Sequence, residues 1–208
     1  MLQGASPDTL HIRTVGQAPP PGRIVDSARY GQPQVRLNST QGPALIWLLR
    51  AADTFFVAAT IQDATPAWND DLVVSMNVRG AGGAAPGHDD FQWYFRRALD
   101  STVIYRGRGG RWEAPRGDPD WRLGRERSGG GWQVGARDDS TSWSLVLRLD
   151  PAWLQESNTG VAQLAIRISD NSPRGSFAWP HPSGTTAASV EQTPSLWGHI
   201  RTSPPSPD

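Results

Sequence analysis

The chain contains no cysteine, no lysine and no long hydrophobic run, and each absence argues against a class of protein. Without cysteine there is no disulfide framework, no thiolate metal site and no cysteine nucleophile. No stretch of about 18 apolar residues occurs, which argues against a membrane-spanning helix. The 20 basic and 20 acidic residues give a formal net charge of +0, so the single-signed electrostatic field that nucleic-acid binding usually requires is missing.

Apolar residues recur along the chain with a period of two or in short runs, and almost nowhere with the 3.6-residue period of a helix. Alternation is clear over residues 72–78 and 143–149, and glycine-rich segments such as 107–110 separate neighbouring runs. We therefore predict an all-β fold, an antiparallel β-sandwich with a jelly-roll-like, immunoglobulin-like two-sheet architecture. One short helical turn is expected where Asp150 can cap a helix that begins at Pro151.

The expected strands cover residues 11–15, 44–50, 54–61, 72–78, 91–97, 102–105, 121–127, 132–136, 143–149, 164–169 and 197–201. Proline-rich segments mark the expected limits of the domain. Residues 1–21 are predicted to be an N-terminal extension and a proline-rich connection that includes a first edge strand. Residues 22–201 are predicted to form the sandwich, and residues 202–208 a disordered proline-rich tail.

Tryptophan is abundant, with ten in 208 residues, and an indole either fills a core or offers a flat face to a ligand. The position of each tryptophan within the strand pattern therefore carries information about its role. Trp93 lies in an aromatic strand, and the sequence does not decide whether its side chain points into the core or lines a groove. Core positions are predicted for Trp47, Trp143 and Trp197, and positions that cap the sandwich for Trp112, Trp121, Trp132 and Trp153.

The order of several short motifs resembles the family 9 carbohydrate-binding modules and their DOMON-like relatives. The central one is an apolar strand, then Asp63-Ala64-Thr65-Pro66, then a loop with Trp68, then Asp71 opening the next strand. The later motifs are Gly130-Gly131-Trp132, Asp150-Pro151-Ala152-Trp153-Leu154, Asp170-Asn171 followed by Trp179, and Pro194-Ser195-Leu196-Trp197-Gly198-His199-Ile200. The resemblance spans roughly residues 22–201 and implies a non-catalytic sugar-binding domain, with a periplasmic or extracellular location favoured. No signal peptide is visible.

The resemblance also implies a ligand site. In the family, two loop tryptophans sandwich a terminal sugar, and Trp68 and Trp179 match those two positions. Asn171, and either Arg96 or its neighbour Arg97, are the expected hydrogen-bonding partners of the sugar hydroxyls at its rim. The sequence departs from the family at Val74, where a glutamate is usual.

A structural calcium ion is a further implication of the resemblance, because the relatives often carry one. Calcium prefers carboxylate and carbonyl oxygens, and Asp63, Asp70 and Asp170 are the expected ligands. No calcium-binding loop motif is present, and aspartate is common in turns, so solvated turns are the alternative.

Two other functions are compatible with the sequence and are kept as alternative hypotheses. The first is an accessory subunit that keeps the fold but binds a protein partner within a larger complex. The second is a b-type haem domain, in which Met76 pairs with His181 or with His199. No nucleophile elbow, phosphate-binding loop or zinc spacing occurs, so we expect no enzymatic activity, and the polar cluster around His88 is expected to be solvated.

Overall fold

The structure is a computed structural model, and it describes residues 9–20, 26–38, 41–80, 82–99, 101–114, 132–149, 161–169 and 175–202. The strand expected at 121–127 and the helical turn expected at 150–155 lie outside these residues, as do Asp170 and Asn171.

The described residues form thirteen strands: β1 (Thr9–Thr14), β2 (Val35–Asn38), β3 (Pro43–Ala51), β4 (Thr54–Gln62), β5 (Asp71–Asn77), β6 (Asp90–Arg96), β7 (Ser101–Arg108), β8 (Arg111–Glu113), β9 (Trp132–Asp138), β10 (Ser142–Leu149), β11 (Val161–Ser169), β12 (Ser176–Trp179) and β13 (Gly198–Thr202). Two short helices, α1 (Ser27–Tyr30) and α2 (Ala187–Gln192), and two 3-10 turns at Arg97–Leu99 and Pro194–Leu196 complete them. The all-β prediction is therefore confirmed.

The strands pair in the order β8-β7-β6-β5-β11-β13-β1-β3-β4-β10-β9, with β12 beside β11 and β2 beside β3. Most neighbours are antiparallel, but β1 runs parallel to both β13 and β3. The sandwich-like sheet is therefore mixed, and its two parallel pairings differ from the antiparallel pairing predicted from the sequence. The expectation of an edge strand near the N-terminus is wrong, because β1 has a partner on each side and joins two curled halves of one mixed sheet.

Alternation explains how the two halves enclose the core. Along β5, Leu72, Val74 and Met76 face inwards, and Leu72 and Val74 lie opposite Phe95 and Trp93 of β6. The inward residues of β3, β4 and β10 meet them from the other half and form one continuous apolar cluster. Successive side chains of a strand point to opposite faces, so the residues between these positions form the outer faces of the sheet.

Two smaller apolar clusters lie on the outer faces. Trp47 packs below Tyr30 of α1 and donates a hydrogen bond from Nε1 to the Gly31 carbonyl at 2.8 Å. On the other half, α2 and Trp197 cover Ala165 of β11, and Trp197 donates to the Val190 carbonyl at 2.8 Å. The predicted burial of Trp47, Trp143 and Trp197 is confirmed, and Trp93 is buried as well.

Neither helix was expected from the sequence, since both are too short to show a helical period. Their capping signals are nevertheless present: the Asp26 side chain accepts from the Arg29 N–H, and Thr186 forms a capping box with Ser189. Among the described residues, no helix has the length and apolar character needed to cross a membrane.

Candidate functional site

The loop between β4 and β5 presents a tryptophan to solvent. The side chain of Trp68 is 64% exposed, whereas most other large apolar side chains of the described residues are buried. Two buried carboxylates accept hydrogen bonds from backbone N–H groups of this loop. Asp63 accepts from the Thr65 N–H at 2.9 Å, and Asp70 accepts from the Ala67 N–H at 2.7 Å. The indole is therefore held outwards by an ordered loop.

Arg97 anchors the same loop to the rest of the fold. Its Nη1 donates to Asp63 Oδ2 and to Asp70 Oδ2, each at 3.1 Å, and its Nη2 donates to Asp138 of β9 at 2.6 Å. The guanidinium also lies over the Trp143 ring, 5.6 Å from the ring centroid. Because Arg97, Asp63 and Asp70 are buried, this is an internal ion-pair network that ties the Trp68 loop to both halves of the sheet.

Burial has a direct effect on Asp70. Loss of solvent raises its pKa to about 6; the hydrogen bond from the Ala67 N–H and the charge of Arg97 oppose this shift, and the charge of Asp63 adds to it. Its Oδ1 atom accepts no hydrogen bond in the structure. Asp70 therefore takes up a proton more readily than an exposed aspartate.

Two of the three expected calcium ligands, Asp63 and Asp70, lie within the described residues. Asp63 and Asp70 are close together, but the guanidinium of Arg97 lies between them and supplies the positive charge. Across the described ranges, no group of three or more His, Cys, Asp or Glu side chains could hold a metal ion. Asp170, the third expected ligand, lies outside those ranges.

The structure brings Arg96 and Trp68 together. The Arg96 guanidinium lies 5.4 Å from the centroid of the Trp68 ring and 5.3 Å from that of Tyr94, so it is held between two aromatic rings. It also donates to the Tyr94 hydroxyl at 3.2 Å and pairs with Asp71 at 3.4 Å. The hydrogen bond with Tyr94 raises the Arg96 pKa, so the guanidinium is charged throughout the physiological range. Burial raises the pKa of Tyr94, whose hydroxyl donates to Asp71.

The outer face of the sheet carries these groups in two cross-strand rows over β7, β6, β5, β11 and β12. Register places Ser101, Arg96, Asp71, Ser169 and Ser176 in the first row. It places Val103, Tyr94, Val73, Arg167 and Ala178 in the second row.

Helix α2 borders the second row and covers Ala178 at its β12 end. Its Glu191 pairs with Arg167 and accepts a hydrogen bond from Gln92 at 3.1 Å. The two rows therefore lie between α2 and the Trp68 loop, and five of their ten residues are buried: Val73, Ala178, Ser101, Asp71 and Ser169. We call these two rows, with α2 and the Trp68 loop at their borders, the outer groove.

The second predicted stacking residue occupies a different environment. Trp179 was expected in a loop, but it is the last residue of β12 and pairs with Ile166 of β11. It is 9% exposed and belongs to the main apolar cluster, so the loop assignment is wrong. Val74, where the family carries a glutamate, is also buried in that cluster. Asn171 lies outside the described residues.

The haem alternative does not fit the register. Met76 is opposite Leu164, and His199 is opposite Gln163, the adjacent residue of β11. Adjacent residues of a strand point to opposite faces, so Met76 and His199 cannot bind one iron. Met76 is fully buried, whereas His181 is exposed.

Several residues of the outer groove were missed by sequence reasoning. Tyr94, Arg167 and Glu191 were not singled out, although Tyr94 and Arg96 alternate with Trp93 and Phe95 in β6. That period of two signals a shared face and could have placed Tyr94 beside Arg96. Glu191 gave no such signal, because its position depends on a helix that the sequence did not predict.

Comparison with known proteins gives a consistent result for the fold. No protein-family model matches the chain, and no curated protein matches it. Among solved structures, the chain is similar to a family 9 carbohydrate-binding module from Caldicellulosiruptor kristjanssonii in complex with glucose, at 13% identity and a TM-score of 0.59, with 97% of this chain and 98% of that one covered. The chain is also similar to such a module from the same organism in complex with cellotriose, at 13% identity and a TM-score of 0.58, with 96% of this chain and 95% of that one covered.

A third similar structure is a Bacteroides uniformis protein described as a "putative carbohydrate-binding protein". It shares 11% identity and a TM-score of 0.53 over 95% of this chain and 100% of that one. The fold is therefore that of a family 9 carbohydrate-binding module, as the order of the sequence motifs implied. At these identities the similarity defines the fold and leaves the site to be argued from its own residues.

Proposed function

We propose that this domain is a non-catalytic carbohydrate-binding module and that Trp68 is its stacking platform. The observation that carries the proposal is the exposed indole on an ordered loop, 64% exposed, with a guanidinium on one of its faces. A pyranose has C–H groups on its faces and hydroxyls on its rim, so it suits a flat aromatic face beside hydrogen-bonding groups. The solved structures with this fold include complexes with glucose and cellotriose, which supports the same class of ligand.

The groups next to Trp68 supply the hydrogen bonds that a sugar requires. Arg96 makes one long contact with Asp71 and one with Tyr94, which leaves other N–H groups of its planar fork for ligand hydroxyls. Asp71 is buried and accepts from both Tyr94 and Arg96, so it positions the guanidinium. This combination of one aromatic face and one guanidinium held by a carboxylate is suited to a polyol rather than to an apolar ligand.

The test is affinity electrophoresis of the purified protein in gels that contain soluble cellulose derivative, xylan, mannan or mixed-linkage glucan. We expect at least one polymer to retard the parent protein and the Trp68→Ala variant to run unretarded. Leu99→Ala is the matched control, because Leu99 is also a large exposed apolar residue, at 50%. If no polymer retards the parent, the carbohydrate proposal fails and the protein-partner alternative takes its place.

A further inference from the structure

The acidic and basic side chains around Trp68 differ in exposure. The acidic residues of the Trp68 loop and of the two rows are Asp63, Asp70 and Asp71, and each is at most 6% exposed. By contrast, the side chain of Arg96 in the first row is 32% exposed. This part of the outer groove therefore presents a guanidinium to solvent beside the exposed indole, while its carboxylates are buried.

The hydrogen bonds of Arg96 leave several of its donors without a partner. Its Nε donates to Asp71 Oδ1 at 3.4 Å, and its Nη2 donates to the Tyr94 hydroxyl at 3.2 Å. Both N–H groups on Nη1 and one on Nη2 bond to no described residue. A guanidinium has no acceptor, so these donors are satisfied only by water or by oxygen atoms of a ligand.

The carboxylates closest to Arg96 are already engaged within the protein. Both oxygens of Asp71 accept hydrogen bonds, one from Arg96 and the other from the Tyr94 hydroxyl. Glu191 of α2 pairs with Arg167, the other arginine of the two rows. The charge of Arg167 is therefore balanced by its own partner, whereas Arg96 has only a long contact with a carboxylate that it shares. The surface beside Trp68 is rich in donors and offers no free carboxylate from these two residues.

The position of Arg96 relative to the indole suits a substituent that projects from a sugar ring. A planar group stacked directly over a ring would lie about 3.5–4 Å from its centre, the contact distance of two carbon atoms. The guanidinium carbon of Arg96 is 5.4 Å from the Trp68 centroid, so it is displaced towards the edge of the ring. A pyranose that stacks on the indole can therefore direct a substituent past that edge to the free N–H groups.

A carboxylate is the substituent that matches these groups. It accepts hydrogen bonds and donates none, and its two oxygens fit the planar fork of a guanidinium. In a uronic acid the carboxylate projects from the pyranose ring in place of the hydroxymethyl group of glucose. Such a sugar therefore combines a ring that stacks on an indole with an anion for Arg96.

We infer that the sugar unit stacked on Trp68 is a uronic acid, whose carboxylate pairs with Arg96. This inference rests on the proposed carbohydrate-binding function and names the class of saccharide. Neutral sugars remain ligands of lower affinity, because stacking of a pyranose on the indole does not require a charge.

The test is isothermal titration of the intact protein with the trisaccharide of β-1,4-linked glucuronic acid and with cellotriose, which share their linkage and differ in the carboxylate. A second pair consists of trigalacturonate and its carboxyl-reduced product. We expect the acidic member of at least one pair to bind at least about tenfold more tightly than its neutral partner. If neutral sugars bind and neither acidic member binds more tightly, the inference is overturned and the proposed function stands. If no sugar of either kind binds, the proposed function fails as well.

A variant pair tests the assignment of the carboxylate to Arg96. Arg96→Gln should abolish the preference for the acidic sugar, and Arg96→Lys, which keeps the charge, should retain part of it. Arg106→Gln is the matched control and should keep the preference, because the Arg106 guanidinium also lies near a ring, 5.0 Å from the Phe91 centroid, but outside the two rows. Melting curves establish that each variant is folded. A folded Arg96→Gln protein with the full preference would contradict the inference.

Discussion

The guanidinium of Arg96 lies between the rings of Trp68 and Tyr94, 5.4 Å and 5.3 Å from their centroids. This contact joins a loop residue to the outer face of β6 and orients the most exposed large apolar side chain of the described residues. An arginine is well suited to the position, because its planar group stacks on both rings while its N–H groups remain available at the edge.

The first prediction concerns this stack. A cation–π contact at an exposed site contributes about 0.5–1 kcal/mol, so Arg96→Lys, which keeps the charge and loses the planar group, should weaken polysaccharide affinity about two- to fivefold. Isothermal titration measures the change. Arg29→Lys is the control, because the Arg29 guanidinium makes a similar cation–π contact with Tyr30 in α1, which is not part of the outer groove. Equal losses in both variants would argue against a specific role for Arg96.

The second prediction concerns Trp179. Truncation of a buried aromatic residue costs about 3–5 kcal/mol, so Trp179→Ala should lower the free energy of unfolding by this order in a urea titration. Trp179→Phe keeps most of the apolar contact and should bind saccharide like the parent. If Trp179→Phe kept its stability and lost its affinity, the two-tryptophan grip implied by the family resemblance would be correct after all.

The third prediction concerns the ion-pair network below the Trp68 loop. Arg97→Met leaves Asp63 and Asp70 buried without their cation, which should cost about 3–5 kcal/mol of stability by urea unfolding. Adding Asp63→Asn and Asp70→Asn to Arg97→Met removes the uncompensated charges and should recover part of the loss. A stability unchanged in Arg97→Met would mean that the network does not anchor the loop.

Much of the fold could be predicted from the sequence, because either period-two alternation or a short apolar run marks each long strand. The parallel position of β1 could not, since pairing partners are chosen by contacts that local patterns do not encode. Of the site, Trp68 and Arg96 were expected from the sequence as ligand contacts, and that role stays a prediction. The groups that complete the outer groove depend on the register between β6, β5 and β11, which no local pattern encodes, and on helix α2, which has a capping box but is too short to show a helical period.

The surroundings of Asp63 and Asp70 illustrate the same limit. These aspartates are of a residue type that binds calcium, but both pair with Arg97, which lies 34 residues after Asp63 in the sequence. If these two carboxylates need no metal, addition of a chelator should leave the melting temperature unchanged. A fall of several degrees on chelation would instead indicate an ion held by residues outside the described ranges, such as Asp170.

The fourth prediction is a pH dependence. The pKa of Asp70 is raised by burial to about 6 from 3.8, so the folded state holds more protons than the unfolded state between those values. Stability contributed by protonated Asp70 is therefore present at low pH and lost as the pH rises through about 6. Asp70→Asn should remove this component, and melting curves from pH 4 to pH 7 should show a smaller decline than in the parent. Parallel curves would contradict the raised pKa.

The most direct test of the central claim is a saccharide titration followed by tryptophan fluorescence, recorded for the parent and for Trp68→Ala with the polymer that retards the parent. Stacking of a sugar on the exposed indole should change the emission of the parent in a saturable way. We predict that Trp68→Ala keeps the melting temperature within about two degrees, because the side chain is largely solvent-exposed, and loses both the spectral change and the binding heat. A Trp68→Ala protein that binds the polymer with parental affinity would contradict the account.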